Sequence, residues 1–208
     1  MVARAIAGLL RPRRKVSVAT DDVAEIGPNA ILQLLPVLQQ AGLEEVVLKR
    51  AGIVSIPAGD EMIPQAPAAA LHQALRVEAP ERAAALAREA GLRTGEYILA
   101  HRIPAFAQKM LRVLPRPVAA RALSKAIEKH AWTFAGSGQF HAADRWHFHL
   151  ARNPIVAGER SDVPLCHWHA AVFERLYTAL IDPTVICHET ACCAQGAAAC
   201  RFELAHAP

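Results

Sequence analysis

Near residue 131 the apolar residues of this chain change period, and that switch limits the fold more than any other feature. Before it, they recur at helical spacing. "GPNAILQLLPVLQQAG" places Ile31, Leu34, Leu35 and Leu38 on one helical face, with Gly42 as a stop and Pro36 as a kink or division. "LEEVVLKRAG" reads as a second short helix and "IPAGDEMIP" as a loop. "PAAALHQALRV" and "APERAAALAREAGLRTGEYILAHRIP" are rich in alanine, the best helix former. Glu81 suits a first turn there, and Gly91 reads as a helix stop. "PAFAQKMLRVL" and "RPVAARALSKAIEKHAW" continue the helical series, with Pro115 and Pro117 where one helix ends and the next begins.

After the switch, "WTFAGSGQF" and "DRWHFHLARNP" read as strands around turn residues; Trp146, Phe148 and Leu150 alternate with Arg145, His147 and His149. "GERSDVPLCHWHAAVFERLYTALIDP" turns helical again, with Leu165, Trp168, Val172, Leu176 and Ala179 as its stripe. Pro164 suits its first turn, and Ser161 or Asp162 its cap. "TVICHET" and "CRFELAH" are strand candidates joined by "ACCAQGAAA", where Gly196 supplies the turn. The expectation is an α+β fold. A helical part over about 21–131 packs with a small antiparallel sheet over about 132–208, in the order strand–strand–helix–strand–strand. Residues 1–20, which include the basic run Arg11 to Lys15, are expected to be a flexible tail before a single domain over 21–208.

The chain has 208 residues, and its net charge of +4 is mild. Aromatic residues make up 5% and do not interleave with a basic stripe, so nucleic acid is not an expected partner. The apolar run Ala5 to Leu10 is short for a signal peptide, and no stretch approaches the roughly 18 apolar residues of a membrane span. The expected location is therefore the cytoplasm, with at most peripheral membrane contact. Cytoplasmic thiols stay reduced, so clustered cysteines there point to metal or chemistry before disulfides.

All five cysteines fall in the last 43 residues: Cys166, then Cys187, Cys192, Cys193 and Cys200. Cys166 is placed in the first turn of a helix, where the dipole favours a thiolate. Glu189 ends one strand, Cys192 enters the loop and Cys200 opens the returning strand, so a hairpin can gather the three. With Cys166 they make a three-sulfur, one-oxygen set feasible for tetrahedral zinc. Cys187 lies two residues before Glu189 on the same strand face and can replace it, giving four thiolates. Cys193, adjacent to Cys192, cannot readily share its geometry.

The segment "PLCHWHAAVFERLYTAL … VICHETACCAQGAAACRFEL" resembles the V4R (4-vinyl reductase) domain. That family's signature is a cysteine at a helix start, then E-x2-C-x7-C and an aromatic strand. Cys166, Glu189, Cys192 and Cys200 occupy those positions, which bind zinc in phenol-sensing relatives. "IGPNAILQLLPVL", "AREAGLRTGEYILAHRIP" and "ARNPIV" are similar to the bacteriochlorophyll-biosynthesis BchJ branch. The resemblance implies a ligand-binding α+β fold related to trafficking-complex subunits, a structural zinc, and a homodimer by analogy. It also implies a role in pigment synthesis at or near the photosynthetic membrane, beside other enzymes of that pathway. Two activities follow from it: reduction of the 8-vinyl (4-vinyl) group of a chlorophyllide precursor, or carriage of a magnesium porphyrin intermediate.

The residues themselves favour binding over catalysis. A vinyl reductase needs a hydride or electron source. "GSG" at 136–138 is the only G-x-G, and it reads as a hairpin turn rather than a phosphate cradle. No residue is assigned a catalytic role. A magnesium tetrapyrrole needs apolar walls, an axial ligand and cations for its propionates. His147, His149, His167 and His169 are the axial candidates. Arg93, Arg102, Arg145 and Arg152 are the propionate candidates, and Tyr97 and Phe106 could line a pocket. A small-molecule-sensing module ranks third, since such modules are expected beside an attached ATPase or DNA-binding segment.

Overall fold

The computed structural model describes residues 24–59 and 61–207. The basic run Arg11 to Lys15 and the expected tail lie outside the described residues. The chain begins with strand β1 (Glu25–Ile26) and helices α1 (Asn29–Leu32), α2 (Leu35–Ala41) and α3 (Glu44–Ala51). Strand β2 (Ile63–Pro64) follows, then α4 (Gln65–Glu78), α5 (Pro80–His101), α6 (Ala105–Val113), α7 (Arg116–Lys129) and the single turn α8 (Trp132–Ala135). The last part is β3 (Gln139–Ala142), β4 (His147–Ala151), α9 (His167–Leu180), β5 (Val185–Ala191) and β6 (Ala199–His206). This is the expected α+β order, with strand–strand–helix–strand–strand at its end.

Pro36 divides a helix, as anticipated, because it cannot donate to the preceding turn. Gly42 and Gly52 end α2 and α3 in the left-handed conformation, at φ 70° and 68°. Some sequence expectations fail, each for a physical reason. "IPAGDEMIP" contains β2, which pairs antiparallel with β1 through Glu25–Pro64 and Ile26–Ile63. Two residues carry no readable period. Trp132–Ala135 is helical rather than extended, so "GSG" turns a helix into β3 instead of joining two strands. Phe134 there stands edge-on to Phe140 and Phe173, with centroids at 5.1 and 5.7 Å. Gly91 stops nothing, because α5 runs on to His101.

The reason for Gly91 is the seam between α5 and α9. A Cβ on Gly91 would lie 2.3 Å from the Trp168 carbonyl oxygen and 2.7 Å from the Ala171 Cβ. One on Gly95 would lie 2.6 Å from the Arg175 Cβ. Ala83, Ala87 and Ala90 are buried on α5. This run of small residues lets the two helix backbones approach closely, and the contact outweighs a propensity cost of about 1 kcal/mol per interior glycine.

Strands β3 to β6 form an antiparallel sheet in the order β3–β4–β6–β5. Phe148, Leu150, Cys200, Phe202, Leu204 and Cys187 are buried on one face. There they meet α9, whose Phe173 sits 5.0 Å from Phe148 and 5.2 Å from Phe202, ring centre to ring centre. α9 is thus covered by the sheet on one side and α5 on the other. Its buried surface runs from Trp168 to Leu180 and is wider than the stripe read from the sequence. Cys166, not Ser161 or Asp162, is its N-cap, and Pro164 falls before its first turn.

Gly91→Ala replaces a poor helix former by the best one, yet it should destabilise. We expect a loss of about 1–3 kcal/mol in urea unfolding, because the new methyl meets backbone that cannot move aside. Unchanged or raised stability would show that the α5–α9 seam has room to spare.

Candidate metal centre

The N-terminus of α9 faces the start of the β5–β6 hairpin. Cys166 caps the helix at φ −90°. Glu189 sits where the β5–β6 register shifts, between Glu189 and Ala191. Cys192 precedes a short 3-10 turn at Cys193–Gln195, and Gly196 closes that turn at φ 85°. Cys200 opens the returning strand, directly across from Leu150 of β4. These elements bring one ligand atom from each of Cys166, Glu189, Cys192 and Cys200 within 4.8 Å of one another. Among the described residues this is the one His/Cys/Asp/Glu group that could hold a metal ion. All five cysteines are free.

Cys166 Sγ lies 3.4 Å from Cys200 Sγ and 3.8 Å from Cys192 Sγ, and the Cys192–Cys200 separation is 3.8 Å. The Glu189 carboxylate accepts the Cys166 backbone N–H through Oε2 at 2.6 Å. Its other oxygen, Oε1, is buried with no hydrogen-bond partner. A buried acceptor left unpaired is costly, and a cation beside the three sulfurs would satisfy it. The residues present therefore fit a metal.

The electrostatics agree. Burial, with donation to Cys192, pushes the Cys166 thiol far up. Contact with the Cys166 and Cys200 thiols pulls the Cys192 thiol down. For Cys200 the pull of Cys166 is overcome by donation to Cys192 and by burial, so it too is raised. Burial pushes the Glu189 carboxyl up to about 7. Neutral thiols of this kind lose protons when a metal binds.

Asn153 completes the surroundings and was not singled out by sequence reasoning. It is buried, and its Nδ2 points at Cys166 Sγ (3.2 Å) and Cys200 Sγ (3.6 Å). Its Oδ1 accepts the Ile155 N–H at 3.1 Å. The chain reaches it through Arg152, held at φ 51°, a left-handed conformation that disfavours a side chain. The Cys193 N–H adds a donor to Cys200 Sγ at 3.3 Å. Such N–H donors support charge on the sulfurs. The available signal was "ARNPIV", whose Asn-Pro favours a turn.

Cys187 stands outside the group. It is buried, burial raises its thiol, and its backbone N–H donates to Glu174 Oε2 at 3.0 Å. Cys193 is half-buried, with its thiol toward the Leu150 carbonyl.

Residues 146–206 match the V4R domain family. The bacteriochlorophyll synthase 23 kDa chain of Cereibacter sphaeroides is 55% identical over 184 residues, which cover 86% of this chain and 89% of that one. The chain of the same name from Rhodobacter capsulatus is 44% identical over 189 residues, covering 88% of each. This chain belongs to that V4R family branch. The metal-ligand cluster falls wholly inside the V4R-matched segment.

A cleft of about 420 Å³ adjoins this V4R cluster and shares Glu189 with it. Arg88, Pro164, His167, Cys187 and His188 also line it. Arg88 also pairs with the buried carboxylate of Glu174. His167 is half-buried, and burial, then Arg76 and Arg88, hold its imidazole below the ordinary range. The other ligand candidates are placed elsewhere. His147 is exposed on the outer face of the sheet, 2.9 Å from Asp144. His149 lies on that same face, opposite His141 and Arg201, and burial then Arg201 lower it. Tyr97 and Arg102 close the far end of α5, with the guanidinium 5.7 Å from the ring centre. Phe106 is exposed on α6. Arg145 and Arg152 are exposed, and Arg93 is half-buried with its Nε unpartnered.

His169 and a second histidine, His72, form a buried layer around Trp168. His169 is 1% exposed, with Nε2 at 3.4 Å from the Phe134 carbonyl and Nδ1 unpartnered. His72, also 1% exposed, donates from Nε2 to the Ala30 carbonyl at 3.0 Å. Its ring lies 5.5 Å from that of Trp168, whose Nε1–H donates to Thr94 Oγ1 at 3.1 Å. Burial lowers His72 to about 3 and His169 to about 4. Both are neutral in the fold, so the unfolded chain takes up more protons below its ordinary histidine value. Stability should therefore be full above about pH 6.5 and fall with acid, by up to roughly 1.4 kcal/mol per pH unit for each group, until about pH 4 for His169 and about pH 3 for His72. Urea unfolding at stepped pH reads this directly. His72→Gln should make the slope shallower, and an unaltered slope would remove His72 from the account.

Proposed function

We propose that this chain binds a magnesium tetrapyrrole intermediate of bacteriochlorophyll biosynthesis and carries it between enzymes of that pathway. The observation that carries the reading is the cleft against the metal-ligand cluster, in a chain whose relatives are named bacteriochlorophyll synthase 23 kDa chains. The cleft is bounded by an apolar wall of Ala84, Val163, Pro164 and Ala170 and by the cation Arg88. His167 lines the cleft and offers an imidazole nitrogen as the axial ligand. Arg88 takes a propionate. At about 420 Å³ the cleft accepts one edge of a macrocycle and leaves the rest exposed, which suits hand-over to a partner enzyme.

Zinc is the metal this donor set fits. Three sulfurs bound at about 2.3 Å in a tetrahedron stand about 3.8 Å apart. The sulfur separations of 3.4–3.8 Å are close to that edge. Cys166, Glu189, Cys192 and Cys200 would hold it, with Asn153 and the Cys193 N–H supporting the sulfurs. Zinc supplies charge here that lets buried thiols ionise, and it ties α9 to the β5–β6 hairpin. Four protein donors fill a tetrahedral shell, so the role is structural. The carrier works in the cytoplasm, as one V4R-like domain.

Protein purified without chelator should contain about one zinc per chain. Cys200→Ser should lose it and at least roughly 2 kcal/mol of stability, which lowers Tm by about 4–8 °C for a chain of this size. Cys187→Ser should keep its zinc, and loss of metal from that variant would transfer the fourth ligand from Glu189 to Cys187.

Titration with magnesium protoporphyrin should give a saturable Soret shift that His167→Ala weakens at least tenfold. No shift and no quenching in the parent protein would reject the carrier reading. Turnover of a divinyl substrate to the monovinyl product by this protein and NADPH alone would replace it with the vinyl-reductase reading.

A further inference from the structure

We propose that α6 and α7 form a docking surface for an anionic lipid bilayer. Residues 102–127 contain six cations, Arg102, Lys109, Arg112, Arg116, Arg121 and Lys125, and no Asp or Glu. The chain as a whole is far more balanced, with 23 Lys and Arg against 19 Asp and Glu. The concentration is therefore local to these two helices.

Each helix has two faces. Ala107 and Leu111 of α6, and Ala119, Leu123 and Ile127 of α7, are buried and fix the pair to the core. On the outer side of α6 stand Phe106 (51% exposed), Lys109 and Val113 (82% exposed), at i, i+3 and i+7. On α7 the same spacing brings Val118 (50% exposed), Arg121 and Lys125 together. Apolar and cationic side chains thus alternate along exposed faces, at one residue per turn.

Not all the cations are equally free. Arg116 pairs with Asp182 at 2.7 Å, and Arg112 donates from Nε to the Ala179 carbonyl at 3.0 Å. The side chains of Lys109, Arg121 and Lys125 make no ion pair or hydrogen bond among the described residues. These three sit beside the exposed Phe106, Val113 and Val118. A lipid headgroup layer meets both needs of such a face: anions for the ammonium and guanidinium groups, and an acyl boundary for the Phe and Val side chains. No described helix is long and apolar enough to cross a membrane, so the contact lies in the interface plane. The surface uses none of the residues of the cleft or the sulfur cluster, and it stands whether or not the tetrapyrrole reading holds.

The test is flotation of the full chain with vesicles of phosphatidylcholine alone or with about one-third phosphatidylglycerol. Binding is expected to the anionic vesicles only, and 0.5 M salt should release it. The triple variant Lys109→Glu, Arg121→Glu, Lys125→Glu should lose at least tenfold in partitioning while its thermal melt stays parental. Val113→Asp, at a side chain that touches little, should weaken binding severalfold and serves where the triple variant misfolds. The basic run Arg11 to Lys15 is the rival source of attraction. If replacing Arg11, Arg13, Arg14 and Lys15 by Gln abolishes binding while the α6–α7 variants bind like the parent, the proposal is overturned. Equal binding to neutral vesicles, or none to anionic ones, also overturns it; in the latter case an acidic protein would be the partner to seek.

Discussion

Three sulfurs and one carboxylate meet at the N-terminus of α9, and the C-terminal third of the fold is organised around that meeting. Cys166 brings the central helix, Cys192 and Cys200 bring the last hairpin, and Asn153 brings the chain leaving β4. The arrangement is expensive without a cation. The Glu189 carboxyl is held up to about 7 and keeps one oxygen unpaired in the interior. Burial and contact with Cys192 push the Cys166 and Cys200 thiols up while Cys192 is pulled down, an unequal sharing among three adjacent sulfurs. Packing alone would not select this set, because three aliphatic side chains would fill the space with less desolvation. The cluster makes sense as a site whose polar groups are satisfied together by an ion, and whose strength lies in joining elements distant in sequence.

The second constraint lies one turn further along α9. Gly91 lets α5 approach so closely that the Trp168 carbonyl occupies the place of a side chain. The same approach brings Trp168 Nε1–H to Thr94 and packs the indole against His72. Cluster and seam therefore fix consecutive turns of one helix, the first through sulfur and the second through backbone contact. The cleft opens between them, walled by α5 at Ala84 and Arg88 and by β5 at Cys187 and Glu189. Its shape follows from the two anchors more than from its own side chains.

Much of this was legible in the sequence because it rests on short-range pattern. Proline and glycine marked the helix ends, and alternation in Trp146–Leu150 marked a strand with Phe148 inward. A strand–loop–strand placement of Glu189, Cys192 and Cys200 made their convergence a matter of local geometry. The rest depends on contacts that no local period encodes. Gly91 reads as a helix stop until its neighbour is known to be the Trp168 backbone. Asn153 looks like an ordinary turn residue, and its role appears only once β4 and β6 are paired. Trp132–Ala135 is too short for a period to show, and Phe134 is placed by Phe140 and Phe173 across the core. Four histidines looked equivalent as ligands, whereas burial and sheet face set His167 apart at the cleft.

Glu174 shows how the cleft could take an anion without undoing the fold. Its carboxylate is buried and serves two elements at once, accepting the Cys187 N–H from β5 and the Arg88 guanidinium from α5. A ligand that pulled Arg88 away would strand that carboxylate in the interior, at a cost comparable to breaking a buried pair. Arg88 need not leave. Its side chain is 44% exposed and meets Glu174 through Nη2, while a guanidinium carries five N–H donors. The remaining donors can meet a second carboxylate from the solvent side. Under the proposed function, a propionate would add to the Glu174–Arg88 pair rather than replace it. Binding would then leave the α5–α9 seam and the Cys187 strand in place, as a protein that must repeatedly load and release its ligand requires.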